Sequence, residues 1–527
     1  MIILRVVSYF NKIFIFLFLV MGLKSLVWSF FVPAWHFPDE QEHFAHIACN
    51  AEAQKECGIN APQDGNLNKE IYLSLDLFGV DRDSFGNNKF TYHPEYNIEY
   101  SGNLTGIYEK QITNLSLENR TIFVKNDIAQ YPEFFYNVSK LPYNLVYFSD
   151  LFTRLFTVRI FWLVLTLIVV WCAFKIGEMM GSKKFAITCA VLVGFHPMFT
   201  FVSSGVTSDN LYNALSSLVI LLCAYILTKG LKLNYLAVLV LLIILGIKTK
   251  PQFLIFLGII LPVVLCRIII YLKKNKLKAK NLLIPIGILI IAFIFLKNNF
   301  LQIINGNFYF YIGGKTAIKG YSLADHFLWT AKHTFKEVLP WYWGVFRWLS
   351  LVLPRWVNRV QMRILLIAGI GLVYKLVLLA KNKKFSKKDL VFLFMAYSAV
   401  LYFLTLFVWD WDFTRSHGFS FGIQGRYYFP VIIPQMILLV IGVETLFLGI
   451  LKIIKKVFKF KKLKLDFGPW TLDLGLCLWF IVLNTIAFIW LAGSYYDTSS
   501  FKAFIIQASQ YKPWFAKGYW LVSLLVV

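Results

Sequence analysis

Ile13-Phe14-Ile15-Phe16-Leu17-Phe18-Leu19-Val20-Met21-Gly22-Leu23-Lys24-Ser25-Leu26-Val27-Trp28-Ser29-Phe30-Phe31-Val32 carries one charge, on Lys24. About twenty such residues in helical form span the hydrocarbon core of a bilayer. The stretch therefore reads as a transmembrane helix and sets the fold class. It leads straight into Trp35-His36-Phe37-Pro38-Asp39-Glu40-Gln41-Glu42-His43-Phe44-Ala45-His46, where carboxylates and imidazoles crowd together as the span meets water. Ionisable groups at such a boundary are costly unless a task keeps them there. In this position a water-soluble acceptor and a lipid-borne donor could meet.

The whole chain agrees with this beginning. Of its 527 residues, 58% are hydrophobic, and its mean hydropathy is +0.63. These values exclude a soluble globular protein and indicate a polytopic membrane protein. The formal net charge of +25 would suit a nucleic-acid binder if it were spread over a surface. Instead, Lys and Arg crowd short stretches at 267–280, 381–388 and 452–464, between apolar runs. Short basic loops stay on the cytoplasmic side, so the excess is a topology signal and implies no nucleic-acid partner. Residues 33–153 hold seventeen of the 28 acidic residues and eight of the 53 basic ones. This long acidic segment reads as translocated.

Cys172, Cys189, Cys223, Cys266 and Cys477 lie in or beside apolar runs and read as small packing residues. Cys49 and Cys57 fall in the translocated segment, where an oxidising compartment would permit a disulfide. No pair has zinc-site spacing. Val32-Pro33-Ala34-Trp35 offers no small-x-small cleavage site, so the first span reads as an uncleaved anchor.

With the N-terminus inside, beside Arg5 and Lys12, eleven spans follow at 13–32, 156–176, 185–203, 211–229, 233–249, 252–272, 282–300, 359–380, 389–408, 427–451 and 471–493. The expected fold is an all-α polytopic membrane protein with a mixed external loop domain after the first helix. Its divisions are 1–32, N-terminus and first span; 33–153, external loop with the polar cluster; 154–300, spans two to seven. Then come 301–356, an external aromatic loop; 357–493, spans eight to eleven; and 494–527, an external C-terminal segment. Residues 520–527 are too short to cross, so they form a surface anchor or part of a further span. The aromatic stretch Trp341-Tyr342-Trp343-Gly344-Val345-Phe346-Arg347-Trp348 marks either a membrane interface or a surface that stacks sugars or touches lipid.

A helix beginning after Pro38 would put Asp39, His43 and His46 on one face, with Glu40 and Glu42 flanking it. A carboxylate there can act as general base on a hydroxyl if a partner orients it. The histidines could orient the Asp, or the Glu and His side chains could hold a divalent cation. The alternative is a plain helix cap, with carboxylates favoured by the dipole. External basic residues near the spans are scarce. Lys248 and Lys250, between two spans, and Arg426, opening another, could each pair with a lipid phosphate or merely snorkel at a helix end. Gly425 would allow close backbone approach to a ligand. Asp209, in the polar hairpin 203–210, reads as an N-cap, and Tyr143, Arg154 and Arg159 as an external rim with interfacial anchors.

Pro38-Asp39-Glu40-x-x-His43, Leu141-Pro142-Tyr143, Ser208-Asp209, Lys250-Pro251 and Gln424-Gly425-Arg426-Tyr427 together resemble the membrane-protein family called domain of unknown function 2142. That family is in turn similar to the GT-C superfamily of integral-membrane glycosyltransferases, which includes protein mannosyltransferases and aminoarabinose transferases. The resemblance implies a GT-C-like bundle in the bacterial cytoplasmic membrane. It would move a sugar from a polyprenyl-phosphate donor to a glycan or lipid-linked acceptor on the outer face, with inversion. It also implies Asp39 as base, Glu40 as neighbour or acceptor ligand, and His43 as orienting partner. Lys250 and Arg426, with Gln424 and Tyr427 beside them, would neutralise the leaving phosphate. No nucleotide-binding loop appears, as expected for a lipid-linked donor, and no cofactor is required beyond the divalent cation that the cluster could hold. A transporter or flippase for a lipid-linked saccharide is the alternative. It would need ionisable residues deep in the spans, where Lys24, Lys375 and Glu444 are the candidates.

Overall fold

The computed structural model describes residues 12–52, 69–75, 77, 78, 80, 98, 100, 104–115, 131–275, 322–381, 385–418, 420, 422–457 and 469–526. Among these the protein is helical, apart from one two-stranded hairpin pairing Val345–Phe346 with Leu351–Val352. Among the described residues, eight helices are long and apolar enough to cross a membrane, and a ninth span results if the bent pair Lys183–Gly194 and Pro197–Ser203 counts as one. The chain is thus an all-α polytopic membrane protein. Of the eleven expected spans, 282–300 lies outside the described residues, as do residues 301–321 of the loop 301–356. The span expected at 233–249 is the shorter helix Leu233–Ile247. Its fifteen residues reach about 22 Å at 1.5 Å per residue, less than a bilayer core.

The bend of 62° between Lys183–Gly194 and Pro197–Ser203 has a sequence cause. Pro197 has no N–H to donate to the preceding turn. Carbonyls freed at such a break must find donors, because the bilayer supplies none. Lys24 gives its ammonium to the Gly194 carbonyl and lies 2.6 Å from the Thr200 hydroxyl. Asn484 donates to the Phe195 carbonyl at 3.3 Å. The other two charges singled out within spans also have partners: Lys375 pairs with Asp389 at 3.5 Å, and Glu444 hydrogen-bonds Asp473. Lys24 and Lys375 therefore have structural tasks, and the deep charges give no support to a transport pathway.

Helices Arg355–Lys381 and Ile432–Val457 touch backbone to backbone. A Cβ at Gly371 would sit 1.8 Å from the Gly442 carbonyl oxygen, so both positions exclude a side chain at this crossing.

The end of the bundle that gathers the site is fastened by buried ion pairs. Arg159 holds Glu40 through Nε–Oε1 at 2.8 Å and Nη2–Oε2 at 2.5 Å. It also donates to the carbonyls of Ser29, Val32 and Pro33 at 2.8–2.9 Å, closing the C-terminal end of the first span. Arg154 pairs with Glu70 at 2.6 Å and with the Tyr143 hydroxyl at 2.6 Å, and Tyr143 donates to Glu52. Both arginines are fully buried. The expectation that they anchor at the membrane interface is corrected: carboxylates from residues 40–70 draw them inside. Cys49 is disulfide-bonded, its expected partner Cys57 lies outside the described residues, and the other five cysteines are free.

Candidate active site

Pro38 and Asp39 precede the helix Glu40–Glu52. Asp39 has φ +55°, a left-handed conformation that Asp tolerates better than most side chains. Its carbonyl accepts from the backbone N–H groups of Glu42 at 3.2 Å and His43 at 3.1 Å. Asp39 is thus the turn that starts the helix, and its side chain points away from it to meet Arg426, Nη2 to Oδ2 at 2.6 Å. The Arg426 side chain is 4% exposed, that of Asp39 35%.

Arg426 reaches this place from the 3₁₀ turn Gly425–Val431, which opens a span. Gly425 is required there, because a Cβ would lie 2.2 Å from the Tyr342 backbone nitrogen. Its close neighbour is the protein's own backbone, a correction to the expectation of a ligand. The Arg426 guanidinium lies 5.3 Å from the Tyr427 ring, a cation–π contact that steadies its charge. Its Nε and Nη1 are buried and have no hydrogen-bond partner. Native structures rarely leave such donors unpaired, because desolvation goes uncompensated.

A cavity of about 420 Å³, counting its open mouth, lies against this pair and is lined by Asp39, Arg426, Gln424, His36, Met198 and Trp348, among others. Trp348 and Leu349 come from the hairpin tip, and Trp348 Nε1 donates to the Trp35 carbonyl at 3.0 Å. Trp35, Asp39, Arg347, Trp348 and Leu349 all have positive φ, from 51° to 67°. Left-handed backbone at non-glycine residues costs energy, and it collects where structure is held for a task.

Lys250 forms a second ion pair, with Asp209, and lies 5.3 Å from the Tyr131 ring. It is not among the residues lining the cavity. Asp209 is not the N-cap expected from sequence. Thr207 caps the helix Ser208–Lys229, accepting from the Asp209 N–H at 3.3 Å, which leaves the Asp209 carboxylate free to take Lys250. His43 spends Nδ1 on the Tyr136 hydroxyl at 3.0 Å and Nε2 on the Thr207 hydroxyl at 3.2 Å. It therefore makes no side-chain bond to Asp39, and the expectation that it orients the carboxylate is corrected. Glu40 faces the other way: it is fully buried, bonded to Arg159 and to the N–H groups of Trp35 at 3.1 Å and Val206 at 3.0 Å. A carboxylate so fully engaged is structural, which replaces its reading as an acceptor ligand. Tyr143 sits with Arg154 and Glu52 in the buried cluster and is not on a rim. Lys248 is exposed at the end of Leu233–Ile247.

Burial raises the proton affinity of Asp39, but the Arg426 charge and hydrogen bond outweigh it, so the carboxyl titrates below its ordinary value. His43 is pushed down to about 3, first by burial and then by Lys250. His36 is likewise pushed down to about 3 by burial, and its nitrogens are taken by the Phe78 carbonyl at 2.5 Å and the Tyr495 hydroxyl at 3.0 Å. At neutral pH the cavity therefore holds an ionised carboxylate, a guanidinium and a neutral imidazole. Among the described residues, no group of three His, Cys, Asp or Glu is placed to hold a metal ion.

Sequence reasoning missed His36, Met198 and Trp348 as cavity residues. Trp348 stands in the aromatic stretch already noted, but nothing local to His36 or Met198 announces that they face the same space.

Membrane-length helices with an ionic site where their ends meet define an integral membrane protein of the multi-span helical class. The sequence pattern of the family described as "Predicted membrane protein (DUF2142)" matches residues 23–434, and the chain belongs to that family. No curated protein matches it. Among solved structures, it is similar to ArnT from Cupriavidus metallidurans in the apo state, with 12% identity and TM-score 0.37, covering 97% of this chain and 76% of that one. It is also similar to the same protein bound to undecaprenyl phosphate, with 13% identity and TM-score 0.38, covering 98% and 77%. A third similar structure is the Archaeoglobus fulgidus oligosaccharyltransferase tethered to an acceptor peptide, with 13% identity and TM-score 0.37, covering 93% of this chain and 56% of that one.

Proposed function

We propose that the protein is a GT-C-type glycosyltransferase that moves a sugar from a polyprenyl-phosphate donor to a hydroxyl of a cell-envelope glycan or lipid-linked acceptor, with inversion. One observation carries the reading. A buried arginine with two unpartnered nitrogens stands beside an ionised, partly exposed aspartate at a cavity, at helix ends that the basic loops assign to the outer face. A leaving phosphate needs charge-assisted donors, and a hydroxyl acceptor needs a base. Arg426 supplies the first and Asp39 the second.

In this reading the donor phosphate takes the free nitrogens of Arg426. Lys250 contributes positive charge from its pair with Asp209, while Gln424 and Trp348 shape the cavity. Asp39 accepts the acceptor's proton as its oxygen attacks the anomeric carbon from the side opposite the phosphate. The protein would lie in a bacterial cytoplasmic membrane with its N-terminus inside.

The test is to give the purified protein polyprenyl-phosphate-linked sugars together with envelope glycans. Release of polyprenyl phosphate matched by glycan extension supports the proposal. Vectorial movement of the intact donor without bond cleavage would favour a flippase and overturn it.

A further inference from the structure

Arg426 stands between two negative charges that the proposed reaction exchanges. Its Nη2 is bound to Asp39 Oδ2 at 2.6 Å, whereas Nε and Nη1 are buried without partners beside the cavity. A guanidinium offers five N–H donors in a planar fork, enough to hold one carboxylate oxygen and an oxyanion together. The fork is therefore only partly used, and the residue that carries it lines the cavity.

Resting on the glycosyltransferase reading above, we propose that Arg426 is a shared counter-ion, drawn from the Asp39 carboxylate towards the donor phosphate as the donor binds and passed to it fully as the sugar transfers. The atoms and charges require such a passage. The acceptor O–H bond breaks, and its proton goes to an Asp39 oxygen while the acceptor oxygen bonds to the anomeric carbon. The bond from that carbon to the phosphate oxygen breaks, and its electron pair remains on the phosphate. Asp39 changes from −1 to 0, and the phosphodiester of charge −1 becomes a monoester of charge −2. The total is unchanged, but one negative charge has moved from the carboxylate to the phosphate, and Arg426 borders both positions. A fixed cation shared by the two ends favours their exchange without reorganising solvent. It also couples proton removal to departure of the leaving group.

The surroundings leave this task to Arg426. Lys250 is committed to Asp209, and neither residue lines the cavity. Both ring nitrogens of His43, and both of His36, are already bonded. The Tyr131 hydroxyl, which feels the Asp39 charge, is raised by burial and stays protonated. Among the described residues, Asp39 is thus answered directly by a single cation, the one the phosphate would claim. Before the donor arrives, Arg426 makes Asp39 a weak base. Once the phosphate takes the guanidinium, burial dominates and the carboxylate becomes a stronger one.

The experiment compares acid limbs of the pH–rate profile for the full-length protein with a polyprenyl-phosphate-linked sugar. Single-turnover rates at saturating donor report the donor complex, and rates at limiting donor report the free protein. The saturating limb should lie at higher pH, by about one unit or more, a ~10-fold rise in the proton affinity of Asp39. Arg426→Gln should move the limiting-donor limb up towards the saturating one, closing the gap, while the donor KM rises. Arg426→Lys, which keeps the charge but not the fork, should retain a smaller gap. Coincident limbs in the unmodified protein would overturn the handover. If Asp39→Asn abolishes transfer while those limbs coincide, glycosyl transfer stands and the handover is wrong. If Asp39→Asn turns over normally, both fall.

Discussion

Asp39 and Glu40 are adjacent carboxylates with opposite fates, and the left-handed φ of Asp39 separates them. Asp39 is sent to the cavity, and Glu40 is turned into the protein to meet Arg159. The pair Asp39 and Arg426 could be read from the sequence, because a carboxylate after a first span and an arginine opening a late span are each out of place unless used. The burial of Glu40 could not, since its partner lies 119 residues away and only tertiary contact reveals it. Glu40→Gln should therefore act on stability. Removing one partner of a buried ion pair costs about 3–5 kcal/mol, read as a large fall in Tm in detergent. Unchanged thermal stability would contradict the structural role. The pH dependence of the cavity pair has the opposite setting. The Asp39 carboxyl is depressed in the folded protein, so its stabilising contribution is full above the ordinary carboxylate value and disappears as pH falls through the lower folded value. Thermal unfolding followed from pH 6 down to pH 3 should show this loss, reduced in Asp39→Asn.

Helix breaks and crossings decide where these side chains arrive. The continuous apolar run at 185–203 predicts one span, yet the chain bends by 62° before Pro197. His196-Pro197 was the signal, masked by the hydrophobicity on both sides. Lys24, a candidate pathway charge from sequence, instead satisfies the opened backbone at that bend. Lys24→Met should leave the Gly194 carbonyl short of a donor and cost about 1–3 kcal/mol, seen as a lower Tm with little change in donor KM. A changed ion or lipid flux would instead restore the transport reading. Gly371→Ala tests the backbone contact: its Cβ would collide with the Gly442 carbonyl oxygen. The two helices must separate, costing about 1–3 kcal/mol by overpacking. An unaffected Tm would contradict the crossing.

Across the molecule, residues from position 39 to 426 converge because alternating spans return their loops to one end. The basic clusters made this alternation legible, and with it the all-helical membrane class. What the sequence left open was which external residues share a space, since Lys250 and Arg426 both lie at that end but only Arg426 lines the cavity. Cysteine introduced at Lys387 or Lys388, both exposed, should resist an impermeant thiol reagent added outside intact cells. Efficient labelling would invert the orientation and place the site on the wrong face. The central claim is that Asp39 is the base in sugar transfer. The direct measurement is single-turnover transfer of a labelled sugar from a polyprenyl-phosphate donor by the unmodified protein and by Asp39→Asn, with donor binding followed in parallel. The account predicts a rate lower by about 10²–10⁴ in Asp39→Asn with donor affinity retained. A near-normal rate in Asp39→Asn would contradict it.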